Sequence, residues 1–243
     1  MRRPSYPYAL EGRRLRQVEQ SYGRRARHVW LITAQELALY RSFAGPVPAS
    51  VMENGVDAAY FDPGRTPEDP DLAHRRFLVF TGTMDYFPNE DAAQWFAREV
   101  LPGIRAHDPS IEFFVVGRNP SPALRQLASQ AGVRITGAVA DIRPYLRYAK
   151  AFVGPLRLAR GIQNKVLEAL AMGLPALVST PVHSTFGGES PLGVIHCAGP
   201  DDYLAQLLRN DAPERQAIRR ATMSRFSWES ALRPLEEQLG TLG

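Results

Sequence analysis

The chain has 243 residues, 44% of them hydrophobic, and a formal net charge of +4. That length supports one full core and a fragment of a second. No run of about eighteen apolar residues could cross a bilayer, the opening MRRPSYPYALEGRR lacks the apolar stretch of a signal peptide, and the single cysteine, Cys197, excludes an internal disulfide and a thiolate metal cluster, so a cytoplasmic protein with a packing cysteine is expected.

The first predicted elements are a basic helix over 10–22, a strand over 28–33, a helix over 34–42 and a strand over 47–52 leading into Asn54-Gly55. Arg13, Arg14, Arg16, Arg24, Arg25 and Arg27 cluster here without interleaved aromatics or a nucleic-acid motif, so they read as a solvated face, and no nucleic-acid partner is expected. These pieces are too few for an independent core. A strand over 28–33 with no neighbour would expose a sheet edge, which favours a separate partner or self-association. The stretch 62–71, with Pro63, Pro67 and Pro70 among acidic residues, has loop chemistry and is the expected domain boundary. It separates residues 1–62 from a domain over 72–243.

From Arg76 onward short β-like apolar runs alternate with amphipathic helix-length stretches. Strands are expected over 77–81, 111–117, 133–136, 151–155, 176–179 and 194–197, with helices over 91–106, 122–131, 141–148, 164–172 and 201–210. That alternation predicts an α/β fold, a Rossmann-like doubly wound parallel sheet. Two closing helices follow over 213–223 and 228–239, the second capped by Ser227, with Trp228, Leu232, Leu235 and Leu239 as a core-facing stripe.

The most informative stretch is 155–175, PLRLARGIQNKVLEALAMGLP, a buried strand end, a basic glycine-containing turn and a helix starting near Gln163. A helix start offers unpaired N–H groups and partial positive charge to an anion, and Gly161 permits close backbone approach. Lys165 and Glu168, three residues apart, fall on nearly one face. Such a pair suits a nucleoside diphosphate sugar, cation to phosphate and carboxylate to hydroxyls, or it is an ordinary surface ion pair. Of the 29 basic residues only Lys150 and Lys165 are lysine, which singles out Lys165.

Around this stretch the chain resembles family-4 GT-B glycosyltransferases, especially sugar transferases of bacterial exopolysaccharide clusters. The resemblance rests on Asn54-Gly55-Val56-Asp57 with Tyr60-Phe61-Asp62-Pro63, on Thr81-Gly82-Thr83-Met84 with Pro88-Asn89, on Val116-Gly117-Arg118, and on Thr136-Gly137-Ala138-Val139 with Asp141. It implies that 72–243 is the C-terminal nucleotide-sugar-binding domain and 1–62 a remnant of the N-terminal acceptor domain with the interdomain linker. The family's paired glutamates, seven residues apart, place the second at Glu168, toward the ribose, but the first falls at Arg160, which departs from the pattern. The Arg-Gly-x-x-x-Lys arrangement of a subgroup is matched, with Lys165 toward the diphosphate.

The resemblance thus makes Lys165 and Glu168 the candidate catalytic residues. Candidate donor-binding residues are Gly82, Arg118, Val139, Asp141, Arg157, Arg160, Gly161, Ile162, Gln163, Asn164, Lys165, Val166 and Glu168. Several have plainer readings: Asp141 as a helix N-cap, Arg157 and Arg160 as surface charge, Gly82 and Gly117 as tight turns, and His183 as an exposed structural histidine. No His/Asp/Glu set has metal-ligand spacing, so neither metal nor cofactor is expected beyond the donor substrate.

What the resemblance implies is retaining hexosyl transfer from a nucleotide sugar to a glycan or lipid-linked acceptor, in the cytoplasm or at the inner membrane face. Three origins fit the short N-terminal part: a truncated gene, a fragment, or a subunit completed by a separate acceptor domain. Competing functions are a non-catalytic nucleotide-sugar-binding subunit, a sugar-nucleotide epimerase and a dinucleotide-dependent dehydrogenase. The last lacks Gly-x-Gly-x-x-Gly after residues 77–81, where the loop reads GTMDYFPNED.

Overall fold

The computed structural model describes residues 6–187, 190–209 and 212–240. It divides into two compact units, Met1–Glu53 and Asn54–Gly243.

In the first unit, helix α1 (Tyr6–Arg25) precedes strand β1 (Val29–Leu31), helix α2 (Ala34–Ala44) and strand β2 (Ala49–Val51). Thr33 stops the strand and starts α2, its hydroxyl accepting from the Glu36 N–H at 3.1 Å. β1 and β2 pair in parallel, Val29 opposite Ala49. The strand expected without a neighbour therefore has one, because α2 supplies the crossover that parallel strands require. A small cluster of Tyr40, Ala44 and Ala49 is buried there, and the six arginines of the basic segment are exposed as read from the sequence.

The second unit is built on a six-stranded parallel sheet among the described residues, in the order β5-β4-β3-β6-β7-β8. Its strands are β3 (Phe77–Thr81), β4 (Glu112–Val116), β5 (Val133–Gly137), β6 (Ala151–Gly154), β7 (Ala176–Ser179) and β8 (Val194–Cys197). From β3 the chain winds outward through β4 and β5, returns beside β3 as β6, and winds the other way. All of β3 and β6 is buried, so both faces of the sheet are covered, which is why FLVFT and AFVG read as continuous apolar runs without alternation. Cys197 is buried at the end of β8, and burial pushes its thiol up to about 12, in keeping with packing.

After the short α3 (Pro70–Ala73), helix α4 (Phe87–Trp95) runs through a π-helical turn, Phe96–Val100, into α5 (Leu101–His107). The element starts earlier than residue 91 because Pro88 fits a first helical turn. The π turn sits just before Pro102, which has no N–H for the ladder and crowds the preceding turn. The remaining helices are α6 (Pro122–Gln126), α7 (Arg143–Tyr148), α8 (Asn164–Ala171), α9 (Thr180–His183), α10 (Pro200–Leu208), α11 (Arg215–Phe226) and α12 (Trp228–Gly240). Residue 210, the expected end of the tenth helix, lies outside the described residues.

Two expectations are corrected. The expected boundary at 62–71 belongs to the second unit: Phe61 and Leu72 are buried, Arg147 donates to the Thr66 carbonyl at 2.6 Å, and Arg219 donates to the carbonyls of Ala58 at 2.9 Å, Phe61 and Ala171. Its turn chemistry is genuine, with Asp62 accepting from Gly64 N–H at 2.8 Å and Asp69 from Leu72 N–H at 3.1 Å, but arginines of the domain hold the Thr66 carbonyl and the Asp62 carboxylate. The α12 stripe is not core: Trp228 and Leu239 are 46% and 59% exposed, and Ala231 is the buried residue of that helix. Ser227 does cap it, accepting from Ser230 N–H at 3.2 Å.

Candidate functional site

Ligands of open α/β sheets bind at the carboxyl ends of the strands where the winding reverses. Here that point lies between β3 and β6, and a cavity of about 730 Å³ opens there. Four loops line it. Thr81, Gly82 and Thr83 follow β3, Val116, Gly117 and Arg118 end β4, Ala138 and Val139 follow β5, and Ile162, Gln163, Asn164, Lys165 and Glu168 come from the start of α8.

The sequence forces these loops close together. Gly82 and Gly117 both take φ +156°, and a Cβ on Gly117 would lie 1.7 Å from the Gly82 carbonyl oxygen. At Gly82 a Cβ would lie 2.8 Å from Asn89 Nδ2 and 3.0 Å from Lys165 Nζ. Glycine there lets the β3 loop approach the lysine.

Lys165 projects from the first turn of α8, where Gln163 gives no side-chain cap. Its ammonium donates to the buried Asn89 Oδ1 and lies 4.7 Å from the centre of the Phe80 ring. Asn89 is fixed in turn by donating to the Thr83 carbonyl at 2.9 Å. Burial lowers the lysine from 10.5 to about 8, against the opposing pull of Glu168. Glu168 is half-buried on the cavity wall, its carboxyl pushed up by burial and held back by Lys165. Among the described residues its carboxylate has no hydrogen bond or ion pair, and the buried Thr81 Oγ1 at the same cavity is also unpartnered. Unsatisfied polar atoms facing a cavity are where a polar ligand completes the bonding.

Eight of the sequence-predicted residues thus meet: Gly82, Arg118, Val139, Ile162, Gln163, Asn164, Lys165 and Glu168. Gly161, at φ 67°, shapes the preceding turn, and Val166 is fully buried in the core behind it. Asp141 turns instead to Arg143, whose guanidinium grips it at 2.7–3.0 Å and holds its carboxyl below the usual range, while it accepts the Arg143 N–H at 2.9 Å. The N-cap position of α7 falls to Ile142, which has no side-chain cap bond, so Asp141 holds the turn before the helix rather than capping it. Arg157 is taken by Asp91 on α4, with Nε to Oδ2 at 2.8 Å, and does not line the cavity. His183 stacks on His196, 4.7 Å between ring centres, and its Nε2 bonds Ser190 Oγ at 2.6 Å, away from the cavity lining. Among the described residues no three His, Cys, Asp or Glu side chains converge on one point.

Asn54, Phe80, Tyr86 and Asn89 were not selected by sequence reasoning. Asn54 donates to Asn164 Oδ1 at 2.8 Å and to the Ile162 carbonyl at 3.3 Å, pinning the start of α8. Its place in the Asn54-Gly55 motif was visible, but its partner 110 residues away was not.

Fold and cavity together define an open α/β ligand-binding unit of the Rossmann-like class. The chain belongs to the glycosyl transferases group 1 family, whose model matches residues 75–208, more than half of its length. Solved structures agree in fold, matching the C-terminal portion of GT-B proteins. A glycosyltransferase from Rickettsia africae is 14% identical with a TM-score of 0.69, covering 91% of this chain and 66% of its own. Sucrose-phosphate synthase from Thermosynechococcus elongatus is 18% identical, TM-score 0.70, covering 94% and 62%. Anabaena HepE, solved with UDP and glucose, is 13% identical, TM-score 0.71, covering 93% and 66%. The chain therefore spans less than two thirds of the length of these structures. No curated protein matches it in sequence.

Proposed function

We propose that the cavity is the donor site of a retaining glycosyltransferase, binding a nucleoside diphosphate sugar with its diphosphate at Lys165 and the start of α8 and its ribose at Glu168. The observation that carries this reading is the pairing, in one cavity at the switch point, of a partly buried lysine on a helix start with a carboxylate that has no hydrogen bond or ion pair among the described residues. Family membership and the UDP bound to HepE support it.

In such a transfer the bond from the sugar's anomeric carbon to the diphosphate breaks, and the acceptor hydroxyl bonds to the same face of that carbon while its proton passes to the leaving diphosphate. Negative charge grows on the diphosphate, where Lys165 and the helix N–H groups are already oriented. Val139 and Ile142, partly buried and apolar, suit the flank of a nucleobase. Hexosyl transfer to a glycan or lipid-linked acceptor in exopolysaccharide synthesis is the finer assignment, supported by the motif resemblance. An acceptor domain, joined or separate, is part of the same proposal.

The assignment of Glu168 is tested by titrating UDP against 2′-deoxy-UDP, and GDP against 2′-deoxy-GDP, by calorimetry. Wild type should favour the ribonucleotide of the preferred base by roughly tenfold, as loss of a charge-assisted bond implies. Glu168→Ala should abolish that preference. Equal binding of both sugars by wild type contradicts the assignment.

A further inference from the structure

A second cavity, of about 420 Å³, adjoins the first and shares Tyr86 and Gln163 with it. Gln163 is the residue immediately before α8, so this chamber begins where the donor diphosphate is proposed to end. Its walls are mostly apolar, with Leu156, Leu158 and Ala159 from the turn after β6, and Tyr86 presents an exposed aromatic ring suited to stack on the non-polar face of a sugar.

Among the described residues one charge stands in this chamber. Arg160 lines it, and among the described residues its guanidinium has no ion pair or hydrogen bond, whereas its own carbonyl is held by Gln163 Nε2 at 3.3 Å. The neighbouring Arg157 is neutralised by Asp91, so that carboxylate does not cancel the field of Arg160. Among the described residues no acidic side chain lines the chamber. A neutral hexose presents hydroxyl donors that look for carboxylate or carbonyl acceptors, but an apolar wall with one free guanidinium suits a planar anion bound bidentately.

From this geometry we infer that the chamber is the sugar subsite and that it selects a donor whose sugar carries a carboxylate, a uronic acid. The inference rests on the donor-site reading above and deepens it.

The test is calorimetric, on the full chain at constant ionic strength, comparing UDP-glucuronic acid with UDP-glucose and GDP-mannuronic acid with GDP-mannose, with UDP and GDP alone as references. Wild type should bind the uronic acid donor of its preferred nucleotide about tenfold more tightly than the neutral one, and Arg160→Ala should reduce that ratio to about one. Arg160 is on the surface, and a thermal melt confirms that the variant is folded. Equal affinity for the two donors in wild type overturns the inference, as does a preference that survives in Arg160→Ala. It is overturned too if the variant loses affinity for the bare diphosphate as strongly as for the uronic acid donor, which would make Arg160 a phosphate ligand. No binding of any nucleotide overturns the donor-site reading itself, a failure distinct from loss of preference.

Discussion

The Lys165 ammonium, at the cavity, lies 4.7 Å from the centre of the fully buried Phe80 ring. An aromatic face attracts a cation but does not neutralise it. With Asn89 Oδ1 as its one hydrogen-bond acceptor among the described residues, the lysine keeps net charge and donors for an incoming anion.

Replacing Lys165 by methionine should therefore separate binding from stability. Diphosphate affinity should fall at least tenfold, as loss of a charged contact implies. The fold should be as stable or more so, since a desolvated charge is removed while the packing stem is retained. Calorimetry and thermal melts together check this; a large loss of stability with affinity intact would contradict it.

The pH dependence follows from the lysine's lowered value of about 8 in the free site. Diphosphate affinity should decline as pH rises from neutral through about 8, because the ammonium is lost there. The sign for stability is opposite. Between about 8 and 10.5 the unfolded lysine holds a proton that the folded one has released, so stability of the unliganded protein should rise across that window. UDP or GDP titrations and denaturation midpoints between these limits measure both effects.

Asn89→Asp should move the same midpoint upward. A carboxylate in place of the amide oxygen favours the ammonium, yet it also stands against an incoming diphosphate. The expected result is a later decline in affinity with pH and weaker binding at every pH, read from titrations across the range.

Gly117→Ala should destabilise the protein by about 2–4 kcal/mol, the range for strained backbone combined with overpacking. The added methyl would meet the Gly82 carbonyl rather than a flexible side chain, so the loops cannot relax independently. Urea denaturation provides the comparison, and a neutral result would mean that the β3 and β4 loops are not held in contact.

The sheet was legible because its strands are buried on both sides: FLVFT and AFVG leave little choice of structure. The spacing of Lys165 and Glu168 was legible for a similar reason, since a helix turns residues three apart onto one face. What the sequence hid lies at long range. Asn89 meets Lys165 from 76 residues away, and Arg219 reaches Phe61 from 158, contacts for which no local pattern exists. Charge was the most misleading signal. Asp141 and Arg157 lie in the right loops, but Arg143 and Asp91 occupy them, and a linear reading does not show which charges are already paired. At 62–71 the composition of a linker was real, yet Arg147 holds the Thr66 carbonyl and Arg219 the Asp62 carboxylate, contacts that composition does not report.

The most direct test of the donor site is calorimetric titration of the full chain with UDP and GDP at pH 7, repeated with Lys165→Ala and Glu168→Ala variants shown to be folded. Saturable one-site binding of one of the two nucleotides is expected, with affinity lowered at least tenfold in each variant. A folded wild-type chain that binds neither nucleotide, or variants that bind as wild type does, would contradict it.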